Sequence, residues 1–227
     1  MGSGNIMINK FTILGERCSG TNFLEEAISK NLNVEITWQY GWKHFFGKNN
    51  FENSDNVLFL GIARDPISWI NSFYREPHHI PEHIRKNVTS FLNSEFYSEH
   101  LVDGRLEEIL EDRNFITEKR YKNIFELRSN KLLYLTKNMR EKVRNYKFIR
   151  YEDLCSKYDF ILRGISEEFK IKTKSNIFHK INYYKKNTKS RFERKPNKEV
   201  GANLILNHPD FNLKVERMAG FCLNLKK

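Results

Sequence analysis

Residues 11–24, FTILGERCSGTNFL, run from a short apolar strand into a polar turn containing Gly15, Ser19, Gly20 and Thr21, and then into a helix. A turn of this kind points several backbone N–H groups into one small space at the positive end of a helix, the geometry that receives a phosphate. Plain connection between strand and helix is the other reading of such a turn. A nucleotide triphosphatase needs Lys directly before the Ser/Thr, so that an ammonium reaches the β- and γ-phosphates while the hydroxyl holds magnesium. Here the helix opens with Gly20-Thr21-Asn22 and that lysine is missing. The loop therefore suits a 5′-phosphate that is not part of a metal-bound triphosphate.

A second group of residues offers the same chemistry. The apolar run VLFLGIA ends in Arg64-Asp65-Pro66, and Ser72 follows Arg64 by eight positions, about two helical turns. A guanidinium at a strand's carboxyl end and a hydroxyl on the next helix can meet one phosphate. The plainer alternative is that Arg64 and Asp65 pair across the turn. Between the two elements lies Trp42-Lys43-His44, which brings a cation and an imidazole. His78 and His79 follow the second element near Pro77 and Pro81, where a solvated turn is the simpler account.

Such residues need a frame that brings strand tips together. Lys10 to Leu14 reads as a buried strand, and residues 22–32 carry Phe23, Ala27 and Ile28 at helical spacing. Residues 57–63 read as a central parallel strand, and Pro66 sits just inside a new helix, where its missing N–H costs nothing. Two strand-to-helix units this close imply an α/β fold with ligands at the carboxyl ends of its strands. Residues 81–145 read as helical throughout, with 101–111 a short charged helix and with Phe125, Leu132, Leu135, Met139 and Val143 in register. A third strand is expected at 146–151, then a helix to about residue 169, a long basic loop over 170–198 and a closing helix at 211–221.

At 227 residues the chain suits one domain, taken as 5–227, with 81–145 as a helical insertion. Residues 1–4 read as an expression scar ahead of a natural start near Met7. Lys plus Arg number 39 against 28 Asp plus Glu, and the net charge of +11 favours anionic partners without choosing among them. The three cysteines are far apart and lack C-x-x-C spacing, so neither a disulfide framework nor a zinc site is expected. No run approaches the roughly 18 apolar residues of a membrane span, and no signal-type segment opens the chain, which places it in the cytoplasm. The oligomeric state is not legible.

Taken in order, these motifs resemble the sulfotransferase superfamily that uses 3′-phosphoadenosine 5′-phosphosulfate (PAPS). The SGTN loop, Ser19 to Asn22, is similar to the family's 5′-phosphosulfate loop, usually a basic residue followed by SGT or SGS. Arg64 with Ser72 is similar to the 3′-phosphate element, whose Arg and Ser have this separation. FIRYEDL at 148–154 is similar to the recurrent YEDL segment, which is structural rather than catalytic. The wording GERxSGTN, with a downstream LRxxK at Leu127, Arg128 and Lys131, also resembles a less characterised bacterial and viral branch. The likeness covers the N-terminal third and one later strand. It departs from the family at Cys18, where many members have Lys or Arg and where this chain has its cation one position earlier, at Arg17.

The resemblance implies a three-layer, P-loop-like α/β fold with a central, mainly parallel sheet flanked by helices. It implies transfer of a sulfuryl group from PAPS to an acceptor hydroxyl, on a carbohydrate first, by one in-line step that leaves 3′,5′-ADP. Arg17, Cys18, Ser19, Gly20, Thr21 and Asn22 would hold the 5′-phosphosulfate, and Arg64 and Ser72 the 3′-phosphate. His44 would take the acceptor's proton. No metal is implied, because Arg17, Lys43 and backbone donors would stabilise the departing phosphate. Cys18 as a nucleophile is disfavoured, since the family transfers directly. Arg128 and Lys131 either bind an anion or form a solvated stripe, and Lys185, Lys186, Arg191, Arg194 and Lys195 fall where such enzymes close a loop over the nucleotide. Trp38, Tyr40, Trp42, Phe45 and Phe46 either stack on adenine or sugar or belong to the core. Two rival readings stay open: a P-loop kinase of atypical sequence, and a nonenzymatic polyanion-binding protein. Nucleic acid is not the expected partner.

Overall fold

The computed structural model describes residues 7–193 and 195–223, so residues 1–4 and Arg194 lie outside the described residues. Strand β1 (Lys10–Leu14) leads through the glycine-bearing turn into helix α1 (Thr21–Asn31). A two-residue strand β2 (Glu35–Ile36) and an aromatic connection follow, then β3 (Val57–Ala63), buried at every position, and α2 (Pro66–Arg75). Asp65 caps α2, its carboxylate accepting from Ser68 N at 2.9 Å, and Pro66 occupies the first helical position.

The next segment holds short helices α3 (Glu82–Arg85) and α4 (Val88–Asn93), strands β4 (Glu99–Val102) and β5 (Arg105–Glu108), and helix α5 (Ile124–Leu133). A π-helical turn at Tyr134–Asn138 carries α5 into α6 (Met139–Lys142). Then come β6 (Tyr146–Arg150), α7 (Tyr151–Ser156), α8 (Tyr158–Glu168), a long basic strap, α9 (Ala202–Leu206) and α10 (Leu213–Met218).

The central sheet has four parallel strands in the order β2-β1-β3-β6, flanked by helices on both faces, which is the expected α/β architecture. Alternation along the strands divides the core. Phe11, Ile13, Leu58, Leu60 and Ile62 face α1 and α8, where Leu24, Ile28, Leu162 and Ile165 are fully buried. On the opposite face Val57 and Phe59 meet Tyr134, Leu135 and Met139, together with Tyr40 and Phe46 from the aromatic connection. A third cluster, built on Trp69, Phe73, Phe91, Phe96 and Phe125, fixes α2 to the inserted segment.

The insertion is not helical throughout. The stretch expected as a charged helix at 101–111 is instead the antiparallel hairpin β4–β5, which pairs Leu101 with Leu106 and Val102 with Arg105. Its turn is Asp103-Gly104 with φ of 48° and 78°, and Asp-Gly is the pair that tolerates two left-handed residues in succession. The helix expected from residue 152 to 169 breaks at Lys157, whose ψ of 38° lies outside the helical region. Strand β2 escaped notice because two residues carry no alternation, and the expected closing helix shrinks to α10.

Candidate active site

Because β1 is flanked by β2 on one side and β3 on the other, the chain reverses its winding between β1 and β3, and a crevice opens at their carboxyl ends. A cleft of about 470 Å³ lies there, within the size range of small-molecule sites. The glycine-bearing turn, the segment 42–44, the tip of β3 with α2, and the basic strap all contribute to it.

Gly20 has φ of 92°, and a Cβ there would overlap the Tyr151 ring, so both conformation and space demand glycine. Cys18 is also left-handed, at φ 63°. No side chain caps α1, so the first-turn N–H groups are left to the cleft, which Gly20, Thr21 and Asn22 line. Ser19 differs from its neighbours. It is buried, its N–H donates to Glu16 O at 3.1 Å, and it borders a small interior void with Glu16, Arg128 and Lys131 instead of the cleft.

Arg17 does not reach back over the loop as expected of a free cation. Its Nε donates to Glu16 at 2.7 Å, its Nη2 to Asp112 at 2.8 Å and its Nη1 to Ser98 Oγ at 2.6 Å. Lys131 completes the cluster by pairing with both Glu16 and Asp112 and donating to His44 O at 2.8 Å. All four charged residues are buried. Burial would raise the Glu16 carboxyl, yet the Arg17 and Lys131 charges outweigh it and hold the group down at about 2. Arg128 is likewise buried, gripping Glu216 with Nε at 2.5 Å and Nη2 at 2.7 Å and donating to Arg64 O at 2.9 Å. Neither Arg128 nor Lys131 forms a solvated stripe or lines the cleft. Both brace the turn from behind.

The lysine absent from the loop has a counterpart from elsewhere. Lys43 Nζ lies 2.5 Å from Asn22 Oδ1 and 3.4 Å from Glu25 Oε2, with the Trp38, Trp42 and Tyr184 rings at 5.5, 5.3 and 5.7 Å. Desolvation outweighs the Glu25 charge and lowers its pKa. Gly15 fixes this segment to the tip of β1: its N–H donates to Lys43 O at 2.9 Å, and its carbonyl accepts from His44 Nδ1 at 2.7 Å. A donating Nδ1 leaves Nε2 of the neutral imidazole as an acceptor in the cleft. Burial, with the Arg17 and Lys43 charges, pushes His44 down to about 3.

Across the cleft, Arg64 packs over the Tyr151 ring at 5.1 Å, and its Nε is buried without a partner. Among the described residues Arg64 forms no ion pair. Asp65 instead caps α2 and donates its N–H to Glu152 Oε1 at 3.0 Å, so the pairing of Arg64 with Asp65 is not formed. Ser72 lines the same wall, beside Cys18. Burial pushes the Cys18 thiol up to about 11, the wrong direction for a thiolate nucleophile.

The strap closes one side. Tyr184 OH stands 3.4 Å from Glu25, Phe192 meets Phe23 edge-on at 5.2 Å, and Asn197 Nδ2 donates to Ser68 Oγ at 3.0 Å. Tyr184, Arg191, Phe192 and Lys195 line the cleft, whereas Lys185 and Lys186 do not. Of the aromatic cluster, Tyr40 and Phe46 are core and Trp42 is 46 % exposed in the cleft. His78 and His79 also border it. Tyr151, Tyr184 and Phe192 were not singled out from the sequence, because aromatic type alone does not separate a cleft wall from a core.

The four-strand parallel sheet flanked by helices, with a cleft at the switch point, defines the class as a three-layer α/β fold. No protein-family profile, curated protein or solved structure matches the chain.

Proposed function

We propose that the cleft binds PAPS and that the protein is a cytoplasmic sulfotransferase acting on an acceptor hydroxyl. The observation that carries this reading is the juxtaposition of two anion sites in one cleft. The uncapped turn at Gly20 and the Arg64 guanidinium, whose Nε is buried with no hydrogen-bond partner among the described residues, both abut the Tyr151 ring. A ligand with phosphates at both ends of a nucleoside answers both, and a metal-bound triphosphate leaves Arg64 unanswered.

In this reading Gly20, Thr21 and Asn22 hold the 5′-phosphosulfate and Arg64 with Ser72 holds the 3′-phosphate. The bound group supplies an activated sulfuryl and a phosphate leaving group. Lys43, already on Asn22 at the start of α1, is the cation positioned to answer charge that grows on a departing phosphate oxygen. Arg17 acts indirectly, by fixing the turn. His44 Nε2 accepts the acceptor's proton; its depressed pKa rises when an anion occupies the neighbouring space, which brings it toward the working range of a base.

Ligand-induced thermal shift tests the reading. The bisphosphate 3′,5′-ADP is expected to stabilise the protein by about 2.7 kcal/mol at a hundredfold excess over Kd. Charge-assisted hydrogen bonds are worth about 1.5–3 kcal/mol, so Arg64→Ala weakens 3′,5′-ADP by roughly 10- to 100-fold. Binding of 5′-AMP changes little. Equal loss for both nucleotides, or stabilisation by ATP with magnesium and not by 3′,5′-ADP, refutes the assignment. Salt-sensitive binding of any polyanion without a saturable nucleotide site favours the nonenzymatic reading instead.

A further inference from the structure

The turn at residues 76–79 is bound to the protein by its backbone. Glu76 O accepts from Cys18 Sγ at 3.8 Å, His78 O from Arg17 Nη1 at 3.2 Å and His79 O from Glu99 N at 2.9 Å. With the carbonyls engaged inward, the imidazoles of His78 and His79 are left bordering the cleft that His44 also lines. His79 is held at φ 63°, a conformation unusual for a residue with a side chain. The Phe45 ring meets it edge-on at 6.4 Å. Nothing in the nucleotide reading uses these two side chains.

Trp42 lines the same cleft. Its ring lies 5.3 Å from Trp38 and meets His44 edge-on at 6.1 Å, and it stays 46 % exposed. A half-exposed indole, with Lys43 Nζ 5.3 Å from its ring centroid, offers flat apolar surface beside the proposed base. Imidazoles donate or accept according to tautomer, and so match a rim of hydroxyl groups.

Charge narrows the class. Glu76 accepts from Lys195 at 3.1 Å, the Arg17 guanidinium is consumed by Glu16 and Asp112, and Arg75 pairs with Glu199 at 2.6 Å. Among the described residues, each of these three cations already faces a carboxylate. Among the described residues these three cations offer an anionic acceptor no unpaired counter-charge, and burial with the Arg17 charge lowers the His79 imidazole from its ordinary value, favouring its neutral form.

From this juxtaposition we infer that Trp42 and the His78–His79 turn form the acceptor subsite, and that the acceptor is a neutral sugar. Its apolar ring face lies on the indole and its hydroxyls meet the imidazoles, one of them at His44. The inference rests on the sulfotransferase reading of the cleft. In the transfer, the acceptor oxygen forms a bond to sulfur as the bond from sulfur to the phosphate oxygen breaks. The hydroxyl proton passes to His44, and the electron pair of the broken bond leaves with 3′,5′-ADP.

The test combines nucleotide binding with radiolabelled sulfuryl transfer from PAPS to methyl glycosides of neutral hexoses, the matching uronic acids and p-nitrophenol. The neutral glycosides are expected to be sulfated at least tenfold more efficiently than the other two classes. Trp42→Ala is expected to raise their KM tenfold or more with kcat within threefold. His79→Asn, which keeps a residue tolerant of the left-handed backbone, raises KM about threefold to tenfold. Both variants keep the 3′,5′-ADP affinity within threefold. Preference for uronic acid or phenol, an unchanged KM in Trp42→Ala, or the absence of both transfer to and NMR-detected contact with any neutral glycoside overturns the inference. Those outcomes in protein that still binds 3′,5′-ADP leave the parent reading standing; loss of 3′,5′-ADP binding by the unaltered protein sinks both.

Discussion

Replacing Lys131 by Met tests whether the buried ion cluster is what holds the glycine-bearing turn. Lys131 is 3 % exposed and answers two carboxylates, Glu16 and Asp112, besides the His44 carbonyl. Methionine fills nearly the same volume, so packing changes little while the charge disappears. Breaking a buried pair by removing one partner costs roughly 3–5 kcal/mol, because the other charge is left desolvated. Here one cation, Arg17, remains for both carboxylates, which places the loss in the upper half of that range. With a urea slope of roughly 2–3 kcal/mol/M, the unfolding midpoint falls by about 1.5–2.5 M. Asp112→Asn in the Lys131→Met background removes one of the stranded charges, and a double-mutant cycle is expected to give a coupling above about 1.5 kcal/mol. A loss under about 1 kcal/mol, the value of an exposed pair, or additivity within about 0.5 kcal/mol, refutes the reasoning.

Gly20→Ala meets both a left-handed backbone and the Tyr151 ring, so nucleotide binding measured by calorimetry falls at least tenfold. Tyr151→Ala in that background removes the overlap but not the backbone strain, and does not restore full affinity. His44→Ala lowers kcat by roughly 10²- to 10⁴-fold, the usual contribution of a positioned base, with 3′,5′-ADP affinity within threefold; an unchanged kcat removes the role. Thermal stability is expected to fall with acidification. His44 sits at about 3 in the fold against an ordinary 6.5, so below pH 6.5 the unfolded chain binds a proton that the fold refuses. That contribution amounts to about 1.4 kcal/mol per pH unit and is fully lost near pH 3. Glu16, depressed from 4.5 to about 2, adds a second loss below pH 4.5. A flat profile between pH 6.5 and 4.5 counts against the buried neutral imidazole.

Strands β1 and β3 were legible in the sequence because each is a largely apolar run with a glycine or proline signal at the next turn, as at Ala63 to Pro66, and β6 by its alternation, whereas β2 was not. Gly20, Thr21, Asn22, Arg64, Ser72, Lys43 and His44 were each found by type and order, and the fold brings them to one cleft. What the sequence did not disclose was direction. Arg17, Arg128 and Lys131 carry the same charge as ligand-binding cations, and only the carboxylates of Glu16, Asp112 and Glu216 reveal that they face inward. Asp112 lies 95 positions from Arg17, too far for any local pattern to pair them. The hairpin was missed for a different reason. Its Asp-Gly signal is flanked by charged residues whose spacing also fits a helix, and the antiparallel pairing of β4 with β5 decides between them.

The inserted segment has a consequence for how the turn is held. Ser98 and Asp112 belong to it and anchor the guanidinium of Arg17, while Tyr151 props the turn from beyond β6. Four strands in register are thus insufficient to shape the glycine-bearing turn, which is braced by residues from distant stretches of the chain. Excising the 81–145 segment would spare β1 and β3 yet remove buried partners of Arg17, Glu16 and Glu216, so this insertion is part of what shapes the turn.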